Sequence, residues 1–112
     1  MTHRQFKAQT WWGPVWRGLV VDREAHHYRR VKSAIWLFLY LIIHADRKSG
    51  TLIRKYQTIA GDMGIAARTI RRWLLILRQY KYVEVDYTGR SLIIHIQKWR
   101  SIATLPRVSQ KR

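Results

Sequence analysis

The segment from Tyr56 to Trp73, YQTIAGDMGIAARTIRRW, constrains the fold more than any other part of the sequence. Its apolar residues recur at helical spacing, and a glycine stands between the two runs. Because glycine readily adopts the left-handed backbone that a tight turn needs, the pattern predicts two helices joined at Gly64, over residues 57–63 and 66–82. The apolar positions are Ile59, Met63, Ile65, Ile70 and Trp73.

The second of these predicted helices has two faces of different chemistry. At about 100° per residue, its apolar residues fall on one side and its basic residues on the opposite side. The apolar side carries Ile70, Trp73, Leu74 and Leu77. The basic side carries Arg68, Arg71, Arg72 and Gln79. We therefore expect the first side in the core and the second side on the surface.

The charge of the chain narrows the class of partner. Among 112 residues there are 22 Lys and Arg against 6 Asp and Glu, which gives a net charge of +16. An excess this large favours an anionic partner, which means DNA, RNA or acidic lipid. The hydrophobic content of 47% indicates a folded domain. The absence of cysteine excludes disulfides and thiolate metal sites.

A helix is also predicted over residues 31–45. It is apolar nearly all the way round, which indicates burial on more than one side, in the core or at a dimer seam. We expect Trp36 on its core face. Its apolar run over residues 34–43 is about half of the roughly 20 residues that a spanning helix needs, so we expect no membrane association. The first residues lack the apolar core of a signal peptide, and we expect a cytoplasmic protein associated with the nucleoid.

Shorter elements flank these helices. Residues 51–54, TLIR, predict one edge strand. Two β-branched runs, at 83–85 and 92–96, are separated by DYTGRS, in which Thr88-Gly89 supplies the turn, so a hairpin is predicted there. Asp22 is placed to cap a short helix that runs to residue 28, because its side chain accepts the unpaired amides of a first turn.

This order of helix, short strand, helix, turn, helix and hairpin resembles the winged helix-turn-helix family of DNA-binding proteins. Ala60, Gly64, Ile65, Ile70 and Trp73 match the small, glycine and apolar positions of that family. The resemblance implies an α+β, mostly α fold, with a three-helix core, a short strand and a C-terminal β-hairpin wing. It covers residues 31–98, with an aromatic and basic arm at 1–30 and a basic tail at 99–112. Ala66 stands where the family often has a Ser or Thr.

The resemblance implies a protein that reads double-stranded DNA with its second motif helix in the major groove, as a transcriptional regulator. Arginine forks match the acceptors of guanine and of phosphate. The expected contacts on that helix are Ala67, Arg68, Thr69, Arg71 and Arg72. Further contacts are expected from Arg54 and Lys55 before the first motif helix, and from Tyr87 and Arg90 in the wing. A homodimer through residues 31–43 or the tryptophan-rich arm would space two recognition helices roughly 34 Å apart.

Two other functions remain open from the sequence. The chain also looks similar to small basic proteins of mobile elements that act in replication initiation or DNA processing. An RNA-binding accessory protein is the third candidate, although the aromatic strand motif and GXXG loop of common RNA-binding modules are absent. The histidines and acids show no spacing typical of a metal site or of acid–base catalysis. We therefore expect no cofactor, no metal and no enzymatic activity.

Overall fold

The computed structural model describes residues 15–99, which form an α+β fold, about half helical, with a three-stranded antiparallel sheet. Its α-helices are α1 (His26–Val31), α2 (Ile35–His44), α3 (Tyr56–Met63) and α4 (Ala67–Gln79). Its strands are β1 (Thr51–Arg54), β2 (Val83–Tyr87) and β3 (Leu92–Ile96). Short 3-10 turns at Arg17–Leu19 and Lys32–Ala34 precede α1 and α2. The α+β class predicted from the sequence is thereby confirmed.

The sheet has the strand order β1-β3-β2, so β1 is an edge strand, as its sequence predicts. Strands β2 and β3 form the predicted antiparallel hairpin, in which Val85 pairs with Ile94. On the other side of β3, Leu52 pairs with the same Ile94. Alternate residues along β3 are buried, namely Leu92, Ile94 and Ile96. Because side chains alternate between the two faces of a strand, one face of the sheet packs against the helices and the other faces solvent.

One hydrophobic core joins the inner face of the sheet to α2, α3 and α4. Its largest fully buried side chains include Leu37, Phe38, Leu41, Ile59, Ile70, Leu74, Leu77 and Ile94. Burying a side chain of this size contributes roughly 1.5–3 kcal/mol. The apolar side predicted for α4 is confirmed, since three of its residues are in this set.

The turn between α3 and α4 forms as the glycine predicts. Gly64 follows α3 with a φ of 69°, and the amide of Ile65 donates to the carbonyl of Ala60 at 3.1 Å. This hydrogen bond satisfies one of the carbonyls that a helix end leaves unpaired. Helix α4 then begins at Ala67, and Ala66 supplies no side-chain cap. Helices α3 and α4 pack against each other across this turn.

The C-terminal end of α4 closes in a similar way, but without a glycine. The amide of Tyr82 donates to Leu77 at 2.9 Å, the amide of Lys81 donates to Arg78 at 3.0 Å, and Lys81 has a φ of 64°. This hydrogen-bond pattern normally places glycine at the left-handed position.

We therefore expect Lys81→Gly to raise the free energy of unfolding by about 0.5–1 kcal/mol, because glycine adopts the left-handed backbone without strain. Part of this gain is offset, because glycine also increases the conformational entropy of the unfolded chain. Urea denaturation followed by circular dichroism measures this change. Lys81→Ala is the matched control, since it removes the charge and keeps the strain. Equal stability of the two variants would contradict the explanation.

The helix predicted over residues 31–45 differs in two respects. It begins later, because Lys32 has a φ of 46° and only a 3-10 turn connects α1 to α2. Trp36 is 63% exposed, so its predicted place in the core is wrong. Ile43 is exposed as well, and α2 therefore has an apolar face toward solvent. The run AIWLFLYLII contains no polar residue to mark an outer face, so its pattern could not orient the helix.

The described part of the N-terminal segment packs against this core. Leu19 is buried, and the Trp16 ring meets the Phe38 ring edge-on at 5.6 Å. The Asp22 carboxylate accepts the amides of Glu24 and of His26, the first residue of α1, at 3.0 Å each, which lowers its pKa, although the N-cap position itself is held by Ala25. The helix thus starts at His26, later than predicted. The tryptophans at positions 11 and 12 and the tail from residue 100 lie outside the described residues.

Candidate nucleic-acid interface

Helix α4 presents a basic face to solvent. Its exposed residues are Arg68, Arg71, Arg72, Leu75, Arg78 and Gln79. The helix contains no acidic residue that could neutralise these charges. Two more of the predicted contacts, Ala67 and Thr69, are half-buried in its first turn. Small side chains there leave the backbone of the helix accessible to a partner.

The arginines of this face differ in their surroundings. Within residues 15–99, neither Arg68 nor Arg72 has a hydrogen-bond or ion-pair partner. The guanidinium of Arg71 instead lies over the Tyr56 ring, 4.8 Å from its centroid. A cation over an aromatic face is held by the ring quadrupole. As far as residues 15–99 are concerned, two arginines are therefore available to a ligand, and the third is held in place from α3.

The contact of Arg71 extends to the hairpin through Tyr56. Burial, and after it a hydrogen bond with Tyr87, raises the pKa of Tyr56, while Arg71 lowers it. Tyr56 is the first residue of α3, and Tyr87 is the last residue of β2. The start of α3, the face of α4 and the end of β2 thus meet at one cluster of side chains.

Arg54 is engaged within the fold. One of its guanidinium nitrogens donates to the Tyr40 hydroxyl at 2.6 Å and to the Asp62 carboxylate at 3.3 Å. The Tyr40 hydroxyl also donates to Asp62 at 2.6 Å. Burial, together with this hydrogen bond to Asp62, raises the pKa of Tyr40 to about 12. The cluster ties β1, α2 and α3 together, so a phosphate contact by Arg54 would compete with contacts that hold these elements.

The other predicted contacts lie on exposed turns. Lys55 is exposed directly before α3, and its carbonyl accepts the amides of Thr58 and Ile59 in the first turn. At the hairpin tip, Tyr87 is 61% exposed and Arg90 is exposed. The tip is closed by Thr88, whose amide donates to the Ser91 carbonyl at 3.0 Å. Both regions can present a cation to a ligand that lies along α4.

Sequence reasoning missed Tyr56 as a member of this site. Its ring fixes Arg71 across the turn between α3 and α4, a contact that becomes visible only in three dimensions. Tyr56 is half-buried and packs against the core as well, so its position along the chain held no signal of this second contact. Leu75 was missed as well, and it is 55% exposed among the arginines.

The described histidines make hydrogen bonds within the fold. The His27 ring hydrogen-bonds the Tyr82 hydroxyl, His95 hydrogen-bonds Thr51 at 3.0 Å, and His44 hydrogen-bonds the Tyr40 carbonyl at 3.0 Å. Between residues 15 and 99, no three His, Asp or Glu side chains lie together as a metal site would require. No helix in that range is both long and apolar enough to cross a membrane.

Comparison with known proteins gives one informative match. The chain is 27% identical, over 95 residues, to the phage-like element PBSX protein XkdB of Bacillus subtilis (strain 168). The match covers 75% of this chain and 33% of that protein, so the chain spans about a third of the length of its relative. No family model matches the chain. No solved structure matches it either.

Proposed function

We propose that this protein is a winged helix-turn-helix protein of a phage-like element that binds double-stranded DNA with α4 in the major groove. The observation that carries the proposal is the pair of exposed arginines, Arg68 and Arg72, which have no partner within residues 15–99. They lie near the N-terminal end of a helix, where residues of a recognition helix meet base edges. A major groove about 12 Å wide admits one such helix.

The hairpin that follows α4 supports the same proposal. In a winged helix the hairpin lies beside the recognition helix and contacts the DNA backbone or the minor groove. Here Tyr87 is joined through Tyr56 to Arg71 of α4, so the wing and the helix are held in a fixed relation. A surface ordered before binding loses less conformational entropy when DNA binds.

The task of the protein within that element has two candidates. A regulator of transcription would act by occupying a site near a promoter, with no chemistry of its own. The second candidate is a role in replication initiation or DNA processing of a mobile element, a setting with which the match to a phage-like element protein is compatible. Footprints at promoters support the first candidate, whereas footprints at a replication or transfer origin support the second.

Binding to duplex DNA is tested by fluorescence anisotropy with a labelled duplex of about 20 base pairs and an RNA duplex of matched sequence. We expect tighter binding to DNA, because the shallow minor groove and deep, narrow major groove of RNA do not admit α4. A plot of the logarithm of the association constant against the logarithm of the salt concentration should have a slope of about −4. This slope is expected when about four or five Lys and Arg side chains contact phosphates and release the counterions bound there. Equal affinity for both duplexes, or a flat salt dependence, would refute the proposal.

A further inference from the structure

A second surface of the molecule combines exposed aromatic rings with cations. A groove of about 250 Å³ runs between the N-terminal segment, α1 and the start of α2. Val20, Tyr28, Lys32 and Ile35 are among its lining residues. Trp36 is not itself a lining residue, but it follows Ile35 directly in α2 and is exposed. We call Val20, Tyr28, Lys32, Ile35 and Trp36 the aromatic surface.

The aromatic surface is unusually open to solvent. Tyr28 is 72% exposed and Trp36 is 63% exposed, the two largest exposures of any aromatic side chain in the described range. Within that range neither ring makes an aromatic or cation–π contact, and the Tyr28 hydroxyl has no hydrogen-bond partner. Neither ring therefore contributes much to folding by burial. Both rings are therefore open to contact by a ligand.

One cation lies in this groove, and others lie on and just before α1. Lys32 lies in the groove between α1 and α2, and within the described residues its ammonium has no partner. Arg23, Arg29 and Arg30 are exposed on and just before α1. The nearby acids, Asp22 and Glu24, pair with His26 at 3.0 and 3.1 Å. Residues 22–32 thus carry four Lys and Arg side chains against two acids.

We propose that the aromatic surface binds single-stranded nucleic acid, by stacking bases on Tyr28 and Trp36 while Lys32 and Arg29 contact phosphates. Exposed rings in a cationic groove are the combination that single-strand binding proteins use, since every base has a face to stack. A protein partner fits less well, because lysine is depleted at the centre of protein–protein interfaces. This surface is separate from the duplex site proposed for α4.

The separation from that duplex site follows from the packing of α1. Arg30 lies over the Tyr80 ring, 5.9 Å from its centroid, just beyond the C-terminal end of α4. Arg68 lies at the other end of that helix. At a rise of about 1.5 Å per residue, the two ends are roughly 18 Å apart. The molecule can therefore contact a duplex and a single strand at different places.

The test measures fluorescence anisotropy of labelled oligo-dT and oligo-U of about 16 nucleotides with the full chain and its variants. Trp36→Leu and Tyr28→Leu should each weaken single-strand binding about 10-fold, because leucine keeps apolar contact but cannot stack. Trp36→Phe and Tyr28→Phe should keep binding within about 3-fold. The oligo-dT and oligo-U arms distinguish DNA from RNA as the strand that is bound.

Four results would overturn the proposal. One is that the wild-type chain binds neither oligonucleotide at physiological salt. Another is that the Leu and Phe variants bind equally well, which would mean that the rings do not stack. The third is that Arg68→Ala with Arg72→Ala abolishes single-strand binding, which would mean that the strand binds α4 and not the aromatic surface. If Trp36→Leu leaves binding intact and changes the molar mass in light scattering, the surface joins copies of the chain and the proposal is wrong.

Discussion

Replacing Gly50 by alanine should lower the free energy of unfolding by about 3–4 kcal/mol, measured by urea denaturation. Gly50 has a φ of 68°, and a Cβ built there would lie 2.3 Å from Cγ of Trp99. The backbone cannot relax easily, because the Gly50 amide donates to Asp46 at 2.8 Å and its carbonyl accepts the Ile96 amide at 2.9 Å. The Trp99 ring would have to move, which would break its hydrogen bond to the Arg47 carbonyl.

Gly64 provides the matched control for this prediction. Its φ of 69° equals that of Gly50 within a degree, but a Cβ at Gly64 meets nothing within 4 Å. Gly64→Ala should therefore lower the free energy of unfolding only by the strain of an alanine in the left-handed conformation, about 1–2 kcal/mol. In a Trp99→Gly background, Gly50→Ala should cost that same smaller amount, because both the ring and the Trp99 Cβ, which would lie 2.6 Å from the new Cβ, are gone. A Gly50→Ala variant that loses no more stability than Gly64→Ala would show that Trp99 does not fix the turn.

These two glycines illustrate how much of the fold the sequence could predict. Both stand in turns, and the positive φ at Gly64 follows from the helical runs on either side of it. The contact of Gly50 with Trp99 joins residues far apart in the chain, so no local pattern contains it. Helix α4 was oriented correctly because arginines mark its outer side. Helix α2 was not, because nothing polar marks its outer side, and Trp36 was therefore misplaced.

The same distinction applies to the candidate site. Exposure of Arg68 and Arg72 could be predicted from helical period alone, since both lie opposite the apolar stripe of α4. The pairing of Arg54 with Tyr40, and the stacking of Arg71 on Tyr56, depend on partners from other elements. The sequence could name these four arginines as candidates. Only the packing shows that Arg54 and Arg71 contact other side chains, whereas Arg68 and Arg72 have no partner within residues 15–99.

The two proposed surfaces bear on the choice between candidate functions. A regulator that only occupies a promoter needs a duplex site and nothing more. A protein that holds duplex DNA at α4 and a single strand near Trp36 could bind a junction where the duplex opens. Such junctions form when replication or DNA processing begins. Single-strand binding that depends on Trp36 would therefore favour the replication or processing role over transcriptional regulation.

Arg68→Ala combined with Arg72→Ala should weaken binding to duplex DNA about 100-fold at physiological salt. The expectation follows because each arginine that contacts a base or phosphate contributes roughly 1–3 kcal/mol. Both side chains are exposed and have no partner within residues 15–99, so the fold should be unaffected. Fluorescence anisotropy with a labelled duplex measures the affinity, and the thermal midpoint by circular dichroism checks the fold.

Arg23→Ala combined with Arg29→Ala is the matched control, because it removes the same two charges from an exposed position on or near α1. It should weaken duplex binding by no more than about 3-fold, through the loss of long-range attraction. The control should instead weaken single-strand binding, which the α4 double variant should leave largely intact. If both double variants weaken duplex binding equally, affinity follows net charge alone, and α4 does not bind DNA in the major groove.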